Sequence, residues 1–266
     1  MIEAHDVAVS LGGREIVTEI DFVAKPSEIA VIVGPNGSGK TTFLKALSGD
    51  LRYSGSIAFD GRQVSAMRLV EMAGKRAVLP QATSLAFPFT VREVVALGVT
   101  AGYPGASRLD SARLIDEALA RVDLAGFAGR FYQELSGGEQ QRAQLARVLT
   151  QVWSPIANGV ARFLLLDEPV SSLDIKHQLV IMNVARAFAT AGGGVVAILH
   201  DLNLAAMYAD HVMIMGAGSV VAAGAPQSVL RDDVLRAAFG CELRVGKIPA
   251  AGAPFVLPQS ATALER

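Results

Sequence analysis

Short apolar runs that alternate with turn residues fill the N-terminal part of the chain. The runs at 7–11, 20–24 and 29–33 are rich in β-branched residues and are separated by glycine, proline and serine, which is typical of short strands joined by turns. A further run at 55–61 ends in an Asp-Gly pair, a common hairpin turn. This part of the chain is therefore predicted to form a β subdomain with antiparallel strands.

The apolar spacing becomes helical after residue 81. Residues 91–97 and 111–122 carry apolar side chains at helical spacing, and a loop rich in glycine and proline, 102–105, separates them. A strongly amphipathic helix is predicted over 141–150. We interpret the residues from about 82 to 150 as an inserted helical lobe.

Strands and helices alternate again in the second half of the chain. Residues 161–167 and 195–199 are apolar on both faces, as central strands of a parallel sheet are, and 175–191 is predicted to be the helix that joins them. A helix to about 209 and a hairpin over 212–222 follow. The pattern predicts an α/β fold with a mainly parallel sheet, an N-terminal antiparallel β subdomain and the inserted helical lobe.

A glycine-rich loop joins the 29–33 strand to a helical segment. Its spacing is that of a phosphate-binding loop, in which backbone N–H groups surround a polyphosphate. Lys40 is expected to reach the β- and γ-phosphates, and the Thr41 hydroxyl is placed to ligate Mg²⁺. The strand at 55–61 is expected to form an antiparallel edge beside the nucleotide. The predicted nucleotide-binding residues are Gly34, Pro35, Asn36, Gly37, Ser38, Gly39, Lys40, Thr41 and Thr42.

Two carboxylates follow the apolar run at 163–166. Ligands of open α/β sheets collect at the C-terminal ends of such strands, so Asp167 is expected to hold the Mg²⁺ shell. Glu168 points elsewhere and can orient or deprotonate a water that faces the γ-phosphate. The same sequence can also be an ordinary helix start, but the phosphate loop upstream favours the catalytic interpretation.

A second anion site is predicted where the amphipathic helix begins. Ser136 and Glu139 have the spacing of a capping box, which alone would explain the sequence. Gly137 and Gly138, however, expose backbone N–H groups at the positive end of a helix. A loop and a distant helix start do not readily hold the same phosphate within one chain. We therefore expect two copies, packed head to tail with two-fold symmetry, to share two nucleotides.

Composition limits the partners and the cellular compartment that we expect for the chain. Lys and Arg number 24 against 25 Asp and Glu, so the charge gives no reason to expect nucleic acid as a partner. A single cysteine excludes an internal disulfide, and the N-terminus lacks the basic and apolar regions of a signal peptide. Apolar stretches such as 212–225 are too short or too interrupted to span a bilayer. We expect a cytosolic chain that works at a membrane only through a partner.

The motifs follow the order seen in ATP-binding cassette (ABC) ATPases, which are P-loop NTPases. The chain resembles this family over about 1–240, taken as one ATPase domain, and leaves a tail at 241–266. The resemblance implies ATP and Mg²⁺ as cofactors, contact of Gln81 with Mg²⁺, Asp174 at the dimer interface, and contact of His200 with the γ-phosphate, with Lys40 and Glu168 completing the catalytic set. It rests on the phosphate loop, Gln81, 135–140, 166–169, 171–174 and His200.

Within that family the chain resembles the ATPase subunits of bacterial importers for haem, iron-siderophores and vitamin B12, and hemin importers most of all. The stretches at 84–91 and 199–205 carry this resemblance, and a loop at 153–161 adds to it. It implies a membrane permease dimer as partner, indirectly a periplasmic solute-binding protein, and a peripheral location on the cytoplasmic face of the inner membrane. The solute passes through the permease, so none of the four histidines is expected to bind haem.

Two departures from the family pattern stand out. Ser27 replaces a usual glycine, a change we expect the preset bend of Pro26 to tolerate. No aromatic residue precedes Phe22, although many members stack adenine on one. Leu11 and, alternatively, Arg14 remain as candidates for holding the base.

Alternative functions predict different sequence features. An iron-siderophore or vitamin B12 importer stays open as an alternative solute class. A soluble ABC ATPase of DNA repair or translation should bring a second cassette, a coiled coil or a basic patch. A non-enzymatic relative should have lost Lys40, Glu168 or His200, and a P-loop kinase does not explain 135–140. On the predicted lobe, Phe87, Pro88 and Phe89 form an apolar cluster, part of which is expected to be exposed and to dock a helix of the permease.

Overall fold

The computed structural model describes most of the chain. Ser84 and Ala86 of the 84–91 stretch, positions 104 and 105 of the glycine- and proline-rich loop, and part of the 241–266 tail lie outside the described residues. No helix of the described residues is long and apolar enough to cross a membrane. The residues described are 1–82, 85, 87–103, 107–248 and 254–261.

Strands and helices follow one another in an order typical of an α/β domain. Over the described residues they are β1 (Ile2–Leu11), β2 (Arg14–Ala24), β3 (Ile29–Val33), α1 (Lys40–Leu47), β4 (Ser54–Phe59), β5 (Arg62–Gln63), α2 (Leu69–Lys75), β6 (Arg76–Leu79), α3 (Val91–Gly102), α4 (Arg108–Arg121), α5 (Gly137–Gln151), β7 (Ile156–Ala157), β8 (Val160–Ala161), β9 (Phe163–Asp167), α6 (Ile175–Thr190), β10 (Gly194–Ile198), α7 (Leu202–Tyr208), β11 (His211–Gly216), β12 (Ser219–Gly224), α8 (Pro226–Val229) and α9 (Asp232–Phe239).

A six-stranded sheet forms the centre of the molecule. Its order is β12-β11-β3-β10-β9-β6, and all neighbours are parallel except β12, which pairs antiparallel with β11 at one edge. Both faces are buried because other elements pack on each side of the sheet, and alternate residues of a strand point to opposite sides. Ile29, Val31 and Val33 pack against the helices, whereas Ala30 and Ile32 face the second sheet. The predicted α/β fold with a mainly parallel sheet is confirmed.

A four-stranded antiparallel sheet covers the other side, in the order β2-β1-β4-β5. Strands β1 and β2 are longer than their apolar runs because the pairing continues through polar positions, with several shifts of register. The expectation that the 55–61 strand is an edge beside the nucleotide is wrong. Strand β4 pairs with both β1 and β5, and β2 is the strand that reaches the phosphate loop.

Three helices, α3 to α5, occupy the segment read as a helical lobe. The predicted capping box begins α5: the Ser136 hydroxyl accepts from the Glu139 N–H, and the Glu139 carboxylate accepts from the Ser136 N–H at 2.8 Å. The sequence pattern does not predict helix α2 or strand β6. The first residues of α2, Leu69 and Val70, are exposed, which hides the usual amphipathic pattern, and β6 has only four residues. The 153–161 loop folds into the small hairpin β7–β8.

Helices α3 and α5 approach each other at two glycines. A Cβ added at Gly98 would lie 1.8 Å from the Arg147 carbonyl oxygen, and one at Gly102 would lie 1.9 Å from that of Gln151. Both obstacles are backbone atoms, which cannot move aside as a flexible side chain can. The contact between these helices therefore requires glycine at both positions.

We expect Gly98→Ala to destabilise the fold by about 1–3 kcal/mol, because the added methyl group forces the two helices apart. Gly74→Ala in α2 is the matched control, since a Cβ there meets no described atom within 4 Å. It should stabilise the protein by about 0.5–1 kcal/mol through helix propensity. Urea unfolding of both variants measures the difference, and equal midpoints would contradict the close helix contact.

Candidate active site

A cavity of about 750 Å³ opens where the parallel strands β3 and β9 end. We call it the phosphate-loop cavity. Its position at the C-terminal edge of the sheet is where open α/β folds bind ligands. It is lined by Arg14, Glu15, Ile16, Asn36, Gly37, Ser38, Gly39, Lys40, Thr41, Thr42, Gln81, Glu168, His200, Ala217 and Gly218.

The phosphate loop can follow its path only with glycine at certain positions. Gly39 has a φ of 92°, and a Cβ there would lie 2.9 Å from the Ile16 carbonyl oxygen. A Cβ at Gly34 would lie 2.3 Å from the Met215 carbonyl oxygen. The buried Ser38 hydroxyl has no hydrogen-bond partner among the described residues. An unpartnered donor in a loop of backbone N–H groups fits a polyphosphate.

Lys40 lies inside the loop rather than in solvent. Its side chain is only 6% exposed, and Nζ donates to the carbonyl oxygens of Gly34 and Pro35 at 2.9 Å each. Burial lowers the pKa of Lys40, although the nearby carboxylates of Glu168 and Asp167 act in the opposite direction. A buried ammonium with a depressed pKa gains most from an added anion, which is what a phosphate supplies.

Asp167 and Thr41 form a pair of oxygen donors beside Lys40. The Thr41 hydroxyl donates to Asp167 Oδ1 at 3.0 Å. Burial raises the pKa of Asp167, and the hydrogen bond from Thr41 opposes that rise. A hydroxyl and a buried carboxylate are hard oxygen ligands of the kind that Mg²⁺ prefers. The residues present therefore fit a magnesium ion.

Glu168 contacts a different set of residues from Asp167. Its carboxylate accepts a hydrogen bond from Gln81 Nε2 at 2.9 Å, and its other oxygen lies 2.7 Å from His200 Nε2. The backbone of Glu168 is left-handed, with a φ of 52°, a conformation that residues with side chains rarely adopt. Nothing in the sequence indicates this strain. The fold thus brings Gln81, Glu168 and His200, which are far apart in the chain, into one cluster.

The residues at the start of α5 lie elsewhere. Ser136, Gly137, Gly138 and Glu139 line a separate cavity of about 520 Å³, the helix-start cavity, together with Arg142, Ser172, Leu173, Asp174 and His177. A Cβ at Gly138 would lie 2.9 Å from Leu173 Cδ2, so a larger residue there would require the end of the Leu173 side chain to shift. Within one chain, the predicted nucleotide-binding residues therefore divide between two cavities, except Gly34 and Pro35, which line neither and instead accept hydrogen bonds from Lys40.

The wall of the phosphate-loop cavity includes residues that sequence reasoning missed or left undecided. Arg14 and Ile16 of β2 line it, and Ala217 and Gly218 come from the hairpin turn between β11 and β12. Leu11 is 44% exposed and is not among the described residues that line the cavity. Of the two candidates for holding a base, Arg14 is the one at the cavity. The approach of the distant hairpin turn leaves no local signal in the sequence.

Several solved structures share the fold. The dimeric structure of MJ0796, a bacterial ABC transporter cassette, matches with a TM-score of 0.75 and 26% identity, covering 85% of this chain and 99% of that one. A post-hydrolysis state of the same cassette, bound to ADP and Pi, matches equally well. An ATP-binding subunit of an ABC transporter, with 22% identity and a TM-score of 0.74, supports the fold alone.

Sequence relatives cover almost the whole chain. A protein described as hemin import ATP-binding protein HmuV, from Mesorhizobium japonicum, is 66% identical over 260 residues, which is 98% of this chain and 99% of that protein. The proteins of the same description from Chelativorans sp. and Rhizobium meliloti are 58% and 57% identical, each over 98% of this chain and 99% and 100% of their own lengths. The family model described as ABC transporter matches residues 17–171. This chain therefore belongs to the ABC transporter family.

Proposed function

We propose that the chain is an ATP-hydrolysing subunit that powers the import of hemin through a partner membrane permease. The observation that carries this proposal is the meeting of the phosphate loop, Gln81, Glu168 and His200 at one cavity. The choice of hemin is supported by relatives named hemin import ATP-binding protein, which match this chain over nearly their full length.

The phosphate loop holds the triphosphate of ATP. The backbone N–H groups of residues 36–42, which include the start of α1, would face the phosphates, and Lys40 can turn from the loop carbonyls to the β- and γ-phosphates. Thr41, Asp167 and Gln81 would hold Mg²⁺, which when bound neutralises charge on the β- and γ-phosphates. Arg14 lies on the same cavity and can stack on the base by its guanidinium plane.

Glu168 is the general base of hydrolysis in this proposal. With only ~13% of its side chain exposed, its carboxylate is held between Gln81 and His200. When Gln81 and His200 turn towards a bound nucleotide, the carboxylate becomes free to accept the proton of the attacking water. His200 then contacts the γ-phosphate. Lys40, Glu168 and His200 form the catalytic set.

The helix-start cavity serves the nucleotide of a second copy. Ser136, Gly137, Gly138 and Glu139 lie at the positive end of α5, and Asp174 borders the same cavity. In a head-to-tail dimer this surface covers the phosphate-loop cavity of the partner copy. The dimeric structure of a cassette with the same fold supports the formation of a dimer.

The transport machinery lies outside this chain. We place the subunit at the cytoplasmic face of the inner membrane, bound to a permease dimer that receives hemin from a periplasmic solute-binding protein. Phe87, which is 68% exposed and packs edge-on against Phe89, is a candidate contact for a permease helix. Hemin itself does not bind this subunit, and nucleic acid is not a partner.

We expect Glu168→Gln to lower the rate of ATP hydrolysis by on the order of 10²- to 10⁴-fold, because the amide cannot accept the proton. Binding of ATP should be retained. Glu117→Gln, which removes only an exposed ion pair with Arg113 in α4, is the control and should hydrolyse ATP at the parental rate. A Glu168→Gln protein with parental turnover would exclude the proposed base.

Shared sites can be tested by mixing two inactive variants, Lys40→Ala and Ser136→Arg. In a head-to-tail mixed dimer, one composite site loses both groups and the other stays intact. Random mixing should therefore restore up to about a quarter of the parental ATPase rate. Mixing two differently tagged Lys40→Ala chains is the control and should restore none. If mixed dimers form without regaining activity, each subunit works alone.

The solute can be identified with the permease that copurifies with the chain from native membranes. In vesicles that contain this complex and ATP, we expect hemin to be taken up at least about tenfold faster than a ferric siderophore or cobalamin. Vesicles that carry Glu168→Gln should take up none of the three. Faster uptake of either competing solute would replace hemin while leaving the ATPase assignment intact.

A further inference from the structure

The side chain of Gln141 bridges helix α5 and the turn that follows β9. Its Nε2 donates to the carbonyl oxygen of Glu168 at 2.9 Å, and its Oε1 accepts from the Ser172 hydroxyl at 2.8 Å. The chemistry of the partners fixes the orientation of the amide, because a carbonyl can only accept a hydrogen bond. Both ends of this half-buried amide are thus used in one bridge.

The bridge ends on the residue with the strained backbone. Glu168 has a φ of 52°, and such a conformation persists in a residue other than glycine only where the surroundings fix it. Its carbonyl also accepts from the Ser171 hydroxyl at 3.2 Å and from the Ser171 N–H at 3.4 Å. The bond from Gln141 is the shortest of the three and the only one of them that comes from another element of the fold.

Gln141 lies one helical turn after Gly137, on the helix that begins at the helix-start cavity. We propose that Gln141 is a positioning residue: its hydrogen bond fixes the backbone of Glu168 and thereby sets the direction of the Glu168 carboxylate. Through this bridge, a nucleotide bound at the start of α5 would influence where the carboxylate points. This inference rests on the proposed function. In a head-to-tail dimer, Gln141 connects the partner copy's nucleotide at one end of the bridge with the general base of its own chain at the other.

A purely structural role is the alternative, and the same turn offers a matched comparison. Gln178 of α6 is half-buried too, and its Nε2 donates to the carbonyl oxygens of Leu173 at 3.1 Å and Val170 at 3.4 Å. It holds the turn between β9 and α6 without touching Glu168. Replacing Gln178 therefore measures how much activity is lost when a comparable side-chain support of the turn is removed.

The test compares Gln141→Met with Gln178→Met in the full chain, because methionine keeps the length of the side chain but has no donor. We expect Gln141→Met to lower kcat for ATP hydrolysis by about tenfold with KM changed less than about twofold, since a misplaced group costs rate more than binding. Gln178→Met should keep kcat within about twofold of the parent. Equal losses in both variants would reduce Gln141 to a support of the turn.

Ser172→Ala is a second variant that avoids a folding defect, because Ser172 is exposed. It removes the hydroxyl that donates to Gln141 Oε1, and we expect kcat to fall by about threefold. Added to Gln141→Met, the same change should have no further effect, because the two residues act through one bridge. Independent, multiplying losses would contradict that bridge.

A final comparison separates this inference from the assignment of Glu168. In single-turnover hydrolysis with the Glu168→Gln protein, adding Gln141→Met should lower the residual rate by less than about twofold, because no base remains to be positioned. A further tenfold loss would show that Gln141 acts elsewhere and overturn the inference alone. If Glu168→Gln itself hydrolysed ATP at the parental rate, Glu168 would not be the general base, and the positioning role of Gln141 would be excluded as well.

Discussion

The site depends on the parallel pairing of three central strands. Strand β10 pairs on one side with β3, Val195 opposite Ile29, and on the other with β9, Val196 opposite Leu165. Because all three run in the same direction, their carboxyl ends meet at one edge of the sheet. The phosphate loop, the two carboxylates and His200 lie at or just after these three ends. A slip of register in any pair would separate groups that the chemistry needs within a few ångströms.

Burial makes this edge of the sheet electrostatically incomplete without a ligand. The pKa of Lys40 is lowered and that of Asp167 is raised, in each case mainly because burial disfavours the charged form. The charge of each group opposes the pKa shift of the other, but only in part. A phosphate chain next to Lys40 and a divalent cation next to Asp167 would favour the charged form of both groups together. The site is therefore suited to a nucleotide and a metal ion that arrive as one unit.

Much of this arrangement could be predicted from the sequence because it is encoded locally. The phosphate-loop spacing, the carboxylates after a buried strand and the capping box of Ser136 and Glu139 each lie within about ten residues. Contacts between distant segments could not be predicted in the same way. The approach of the 216–219 turn to the phosphate loop, the four-residue strand β6 and the left-handed backbone of Glu168 all follow from packing. A short strand and a single φ angle leave no periodic pattern in a sequence.

Two glutamine side chains contact different parts of Glu168. Gln81, in the loop after β6, contacts the carboxylate, whereas Gln141 of α5 contacts the backbone carbonyl. Loss of the first contact frees the side chain to change rotamer, while loss of the second loosens the peptide on which the side chain stands. The carboxylate and the peptide of Glu168 therefore each depend on a contact from another part of the fold. Glu168 has a left-handed φ of 52°, which persists only where the surroundings fix it, so both contacts help to hold this half-buried residue in place.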